Sequence, residues 1–374
     1  MSGDPLFDPA DFRIPEGVAH LCAGGEPPFL RRHDEAFRRY AANKSHGSAG
    51  REVQEAEVER VRGLVARRFG LPHDSTGFVS SVAEGMSMLV ESLDWRPGDN
   101  VCLDPDEYPS LAAPALLGLP DGVEIRPVPV RDPEAVAARM DARTRLLAVS
   151  HVSYLNGARH DLAALRAATD RWGGMLVVDH TQAAGYLPLD DAAAADFAFC
   201  ACYKWLLGTT GTAVAYWNRE RQPGWRPRTA GWYSLASQAR PDYGARPALR
   251  PDAMRFSRGN PSYVSLYVLG SALDYLDGFE AASVQAHVQG LTTALLGRLA
   301  TAGIASTTPG DPAQHGASVC IETPRAAAIV RRLEAEGIYA WNGRGRIRVS
   351  FHGYNSAAEM ERVAAALIRH AAAG

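Results

Sequence analysis

The stretch from Met175 to Trp217, MLVVDHTQAAGYLPLDDAAAADFAFCACYKWLLGTTGTAVAYW, constrains the fold more than any other. Its first apolar run, Leu176-Val177-Val178, ends in Asp179. A run of that kind reads as a buried strand of a parallel sheet that delivers a carboxylate at its C-terminal end. Open α/β sheets bind their ligands at that edge. A second run, Asp196 to Tyr203, carries Lys204 into a Gly/Thr-rich turn, and a third, Ala213 to Trp217, follows. Lysine seldom sits unpaired in such apolar company. Taken singly, Lys204 reads equally as a snorkelling side chain, Asp179 as a loop carboxylate and Gln182 as a helix-start residue. Their joint placement between strand-like runs is what carries information.

Patterning elsewhere extends this α/β reading. Apolar positions at Val53, Ala56, Val58, Val61, Leu64 and Val65 form a helical stripe within Glu52 to Phe69. Gly77 to Glu91 reads as strand, serine turn and helix, and its helix start is either a plain serine cap or an anion cradle of free amides. The segment Asp104 to Ser110 is a turn in which Glu107, with Asp104 and Asp106, reads as a solvated acidic loop. Arg145 to Gly157 is a strand ending in Ser-His-Val-Ser; His151 there reads as a core histidine or a base. After Ser262 a long helix gives way to strand and helix alternation through Ala317–Glu322, Ala326–Glu336, Arg346–Phe351 and Ala357–Ala372. With 374 residues and 46% hydrophobic content, the chain is expected to form two domains, 18–255 and 256–374, after an N-terminal segment 1–17.

Charge and cysteine usage narrow the function. A net charge of -3 with scattered basic residues argues against nucleic-acid or membrane-surface binding. No apolar run approaches a bilayer span and the first residues do not resemble a signal peptide, so a cytoplasmic location is expected. The five cysteines, an odd number lying mostly in apolar runs, read as reduced core residues. Cys200-x-Cys202 lacks metal-ligand spacing, and no metal site is expected.

Asp179-x-x-Gln182 followed by Lys204 resembles the PLP-dependent class V aminotransferase family, which includes cysteine desulfurases, isopenicillin N epimerase-like proteins and kynureninases. The resemblance spans about residues 18–370. It implies fold type I, with a large PLP-binding domain built on a mainly parallel seven-stranded sheet flanked by helices, plus a small C-terminal α/β domain. It also implies that Lys204 holds pyridoxal 5′-phosphate as a Schiff base, that Asp179 faces the ring nitrogen and that Gln182 donates to the phenolic oxygen. The chemistry suits those residue types, because a buried lysine deprotonates easily and a carboxylate stabilises a pyridinium. By the same resemblance Ser81, Val82 and Ala83 stand in the phosphate loop, although Ala83 replaces a common threonine. Tyr108 stacks on the pyridine, the loop 18–28 covers the site, and Tyr203 contacts the phosphate as in kynureninases.

Arg255-Phe-Ser-Arg-Gly-Asn260 is similar to the family's Arg-Phe-x-x-Gly-Thr and implies that Asn260 reaches a neighbouring subunit's phosphate in a homodimer with shared sites. Arg346-Ile-Arg348-Val-Ser350-Phe-His-Gly-Tyr354-Asn355 matches the segment whose arginine, here Arg348, clamps the α-carboxylate of a small amino-acid substrate, with Arg346 a weaker candidate. Arg51 reads as a carboxylate contact or a helix-start arginine, and Asn156 as a substitute for the asparagine that Tyr154 replaces. Residues 336–346 contain no cysteine, which argues against a persulfide-forming desulfurase. An aminotransferase is the leading expectation. A C–S or Cβ lyase of the selenocysteine lyase or kynureninase kind is the alternative, and a catalytically silent PLP-fold binding protein the rival. The glycine fingerprint of a nicotinamide-binding fold is absent.

Overall fold

Apolar runs ending in polar side chains become neighbouring strands of one sheet in the computed structural model, which describes residues 3–372 apart from 238, 241 and 243. In chain order the first half comprises β1 (Ala19–His20), α1 (His33–Lys44), α2 (Gly47–Phe69), β2 (Thr76–Val79), α3 (Val82–Ser92), β3 (Asn100–Leu103), α4 (Pro109–Gly118), β4 (Glu124–Pro127), α5 (Pro133–Arg139), β5 (Thr144–Ser150) and α6 (Leu162–Asp170). There follow β6 (Met175–Asp179), β7 (Phe197–Ala201), β8 (Ala213–Trp217), α7 (Tyr263–Leu276), α8 (Ala281–Thr301), β9 (Ser318–Glu322), α9 (Ala326–Ala335), β10 (Ile338–Tyr339), β11 (Trp341–Gly343), β12 (Arg346–Ser350) and α10 (Ala357–Ala372).

The main sheet has seven strands in the order β2-β8-β7-β6-β5-β3-β4. β4, β3, β5, β6 and β7 pair in parallel, while β8 runs antiparallel to both β7 and β2. It is the mainly parallel, helix-flanked sheet that the family resemblance implies. Side chains alternate across a strand, so each central run feeds two cores. Leu147, Val149, Leu176 and Val178 pack with α2, α6 and α7, whereas Leu146, Ala148, Val177 and Phe199 pack with α3 and α4 on the other face. Burial on both faces is why these runs are continuously apolar.

Local chemistry starts the helices. Ser81, Asp132 and Asp161 each accept from the amide three residues on at the starts of α3, α5 and α6. Pro109 opens α4 directly after Tyr108, where its missing N–H costs nothing. A second sheet, β11-β12-β9, is antiparallel and packs with α8 and α9, against which α10 lies. β1 pairs in parallel with β10, which draws the N-terminal segment against the C-terminal elements, and α7 lies against α1 and α2. Among the described residues no helix is long and apolar enough to cross a membrane, and no group of three or more His, Cys, Asp or Glu side chains could hold a metal ion.

Candidate active site

The carboxyl ends of the parallel strands converge on one cleft, and the loop after each brings a polar side chain to it. β6 ends in Asp179, β5 in Ser150, β3 leads to Glu107 and Tyr108, β2 leads to Ser81 at the start of α3, and β7 leads to Tyr203 and Lys204. The floor, a cavity of about 120 Å³, is lined by Ser81, Val82, Tyr108, Asp179, Gln182 and Lys204 among others. It continues into a wider cleft of about 450 Å³ lined by Gly24, Gly25, Tyr154, Tyr203, Trp341 and Arg348, again with Lys204 and Tyr108.

Lys204 is 6% exposed, and its ammonium lies 5.2 Å from the Tyr108 ring centroid and 5.5 Å from that of Tyr203. Burial first, then repulsion from Arg348, lowers its pKa to about 8, with Asp179 pulling the other way. Lys204 is therefore an amine from which a proton is readily taken near neutral pH. The loop behind it is pinned by two histidines. Leu207 adopts φ of 58°, a conformation uncommon for a branched side chain, and its carbonyl is held by His33 at 2.8 Å. His352 accepts from the Gly353 amide on Nδ1, so its Nε2–H donates to the Trp205 carbonyl at 2.9 Å.

Asp179 is 4% exposed, and burial raises its pKa although the Thr181 amide donates to it at 2.8 Å. Gln182 accepts from the Trp205 indole at 2.9 Å and donates to the Gly24 carbonyl at 2.9 Å. An amide nitrogen has two hydrogens, so one donor remains for a ligand. Arg348 donates to the Tyr154 carbonyl at 3.1 Å, and its Nε is buried without a partner, as is the Tyr154 hydroxyl. Gly24 and Gly25 leave little room for a side chain against the cleft residues. A Cβ on Gly24 would lie 2.8 Å from Ser350 Oγ, and one on Gly25 would lie 3.1 Å from the Trp341 ring and 3.3 Å from Arg348 Nη2.

The remaining sequence candidates fall in different places. Ser81 accepts from the Glu84 amide at 3.1 Å, and Ala83 follows Val82 in the first turn of α3. Asn260 lies apart from the cleft, in a crevice with Ser80, Glu84 and Gly211, and accepts from Arg51 at 2.5 Å. Arg51 also bonds Glu55 and lies over the Trp232 and Tyr263 rings. Asn156 accepts from the Ala158 amide within a turn. His151 is fully buried with Nδ1 3.2 Å from that of His180, and burial lowers both to about 3, so both are neutral core histidines. Arg346 lines the outer cleft. Cys102, Cys200, Cys202 and Cys320 are buried free thiols, and Cys22 is a partly buried one.

Glu107 departs from its expected place in a solvated loop. It is 8% exposed and accepts from the Ser150 amide at 2.8 Å, the Ser150 hydroxyl at 2.5 Å and the Tyr108 amide at 2.6 Å. Burial nevertheless pushes its pKa up from an ordinary 4.5 to about 7. Between those values the native state keeps a proton that the unfolded chain has released, so ionisation of Glu107 costs stability as pH rises through that window. Buried histidines such as His33, His151 and His352 titrate with the opposite sign nearby, so the effect is read as a difference. Relative to wild type, Glu107→Gln should gain stability progressively between about pH 4.5 and 7, by up to roughly 3 kcal/mol. Urea denaturation of both proteins at a series of pH values checks this, and a pH-independent difference would refute it.

A sheet covered on both faces thus brings a buried lysine, a buried carboxylate and an arginine that enters no ion pair among the described residues into one cleft, a donor set suited to binding and deprotonating an amino acid. Comparison with known proteins makes this specific. The aminotransferase class-V family model matches residues 26–363, and the chain belongs to that PLP-dependent family. It is 25% identical over 309 residues to the uncharacterized aminotransferase YcbU of Bacillus subtilis, covering 81% of each chain. It is also 25% identical over 348 residues to the kynureninase of Pseudomonas fluorescens, covering 87% of this chain and 82% of that one. Among solved structures, a C-DES variant with glycine covalently linked to its PLP cofactor superposes with a TM-score of 0.86 at 21% identity, over 97% of this chain and 99% of that one.

Proposed function

We propose that this protein acts at Cα of a small amino acid through PLP held by Lys204, and that transamination is its reaction. The observation that carries the reading is the buried amine of Lys204, set against Tyr108 and Tyr203 in a cleft it shares with Asp179 and Arg348. The donor set fits the group. The first turn of α3, with the Ser81 hydroxyl and the amides of Val82 and Ala83, would hold the phosphate, because a helix N-terminus favours an anion. Tyr203 and, from a second copy, Asn260 would add contacts to it. Asp179 would hold a proton on the ring nitrogen, Gln182 would donate to the ring oxygen and Tyr108 would flank the ring. The proposed large unit, 18–255, thus supplies the cofactor residues, and the small unit, 256–374, supplies Arg348.

When bound, PLP supplies a pyridinium ring that withdraws the electron pair left at Cα. The chain supplies the rest. Arg348 fixes the α-carboxylate, Lys204 removes the Cα proton and returns it, and Tyr154, Trp341 and the Gly24-Gly25 loop narrow the cleft around the reacting atoms. A homodimer with shared sites and a cytoplasmic location complete the proposal.

A C–S or Cβ lyase is the second reading, favoured by Tyr203 and by the kynureninase relative. Incubation with a panel of L-amino acids without a keto acid, followed by weighing the cofactor, separates the two. Conversion to pyridoxamine phosphate supports transamination. Unchanged PLP with release of ammonia or a side-chain fragment supports the lyase, and a purified protein without PLP overturns both.

A further inference from the structure

Beyond the α-carboxylate clamp, the outer cleft carries a cation with no assigned task. β11 and β12 are joined by a two-residue turn, Arg344-Gly345, with φ of 52° and 73°. Two consecutive positive φ values belong to the hairpin turn that Asn-Gly or Gly-Gly normally fills. A long, Cβ-bearing side chain at the first position is disfavoured there, so Arg344 occupies it against local preference. Its guanidinium lies 5.3 Å from the centroid of the Tyr154 ring. Tyr154 in turn stands edge-on to Tyr108, 4.8 Å away, beside Lys204.

The charges of the cleft are unbalanced. Its lining contains Lys204, Arg344, Arg346 and Arg348 against one carboxylate, Glu26. Arg346 bonds the Arg344 carbonyl at 3.1 Å and lies 4.0 Å from Glu322. Arg348 has the substrate's α-carboxylate as its proposed partner. Arg344 enters no ion pair among the described residues, and its one aromatic contact positions it at the mouth. Resting on the proposed reaction at Cα, we infer that the substrate is an amino acid whose side chain ends in an anion, a carboxylate or an oxidised-sulfur acid, and that Arg344 binds that second anion.

The test uses holoenzyme and calorimetric titration with pairs that differ only at the far end. Glutarate against its monoamide cannot react, and L-glutamate against L-glutamine adds the kinetic constants. L-aspartate against L-cysteine sulfinate tells which acid is preferred. The anionic member of each carboxylate pair should bind about tenfold more tightly, the size of one charge-assisted contact, with the preference shrinking as salt is raised. Arg344→Gly suits the positive φ and should melt no lower than the parent, yet bring that ratio close to one through KM. Arg344→Lys should keep most of it. Equal binding of both members by the parent, or a ratio unchanged in Arg344→Gly, would overturn the inference. Failure to trap the cofactor on Lys204 with borohydride is a separate result, and it overturns the underlying reading instead.

Discussion

Lys204→Ala should lower kcat by roughly 10²- to 10⁴-fold, the loss expected when a positioned acid–base group is removed. It should also leave no cofactor that borohydride can fix to the chain. The second outcome is unusually clean here because the sequence contains two lysines, Lys44 and Lys204, among 39 Lys and Arg residues. Lys44 is exposed at the end of α1, outside the cleft. Arginine cannot replace either, since its guanidinium stays protonated in proteins. Peptide mass mapping after reduction of the parent should place the adduct on the peptide containing Lys204. An adduct on Lys44, or one that survives in Lys204→Ala, would remove the assignment. Far-ultraviolet circular dichroism of the variant separates this loss from unfolding.

The placement of Asp179 and Lys204 at one sheet edge is legible in the sequence because both residues terminate apolar runs. Asp179 ends β6 and Lys204 follows β7, and in a parallel sheet covered on both faces the polar residue that ends such a run reaches the ligand edge. The scarcity of lysine was equally available in the sequence and singles out Lys204 further. Glu107 was not legible in this way. It lies among acids in a turn, and its burial comes from Ser150 at the end of a neighbouring strand, a long-range contact without local pattern. Trp205, whose indole fixes Gln182, is hidden for the same reason. The β11–β12 hairpin escaped too: WNG is short and exposed, and Arg-Gly is a poor signature for its turn. Sequence patterning reports which faces are dry, whereas these residues depend on which loops meet.

Arg348→Ala should reduce kcat/KM for α-amino acids by roughly 10²- to 10³-fold, mostly through KM, since truncating one partner of a desolvated, hydrogen-bonded charge pair costs about 2–5 kcal/mol. For the corresponding decarboxylated amines the change should be only a few-fold, because they bring no carboxylate to the vacated position. Arg348→Lys should not restore the parent value. The planar guanidinium can offer two parallel N–H groups to a carboxylate while Nη1 still holds the Tyr154 carbonyl at 3.1 Å, and an ammonium on a flexible stem cannot do both. Arg348→Ala also removes the repulsion that helps lower the pKa of Lys204, so the amine should hold its proton more tightly in that variant. The rate of modification of Lys204 by an amine-selective reagent in cofactor-free protein would then reach half its maximum at a higher pH than in the parent. Equal losses with amino acids and amines would remove the clamp role of Arg348. An unmoved modification profile would show that the guanidinium does not act on the lysine through space.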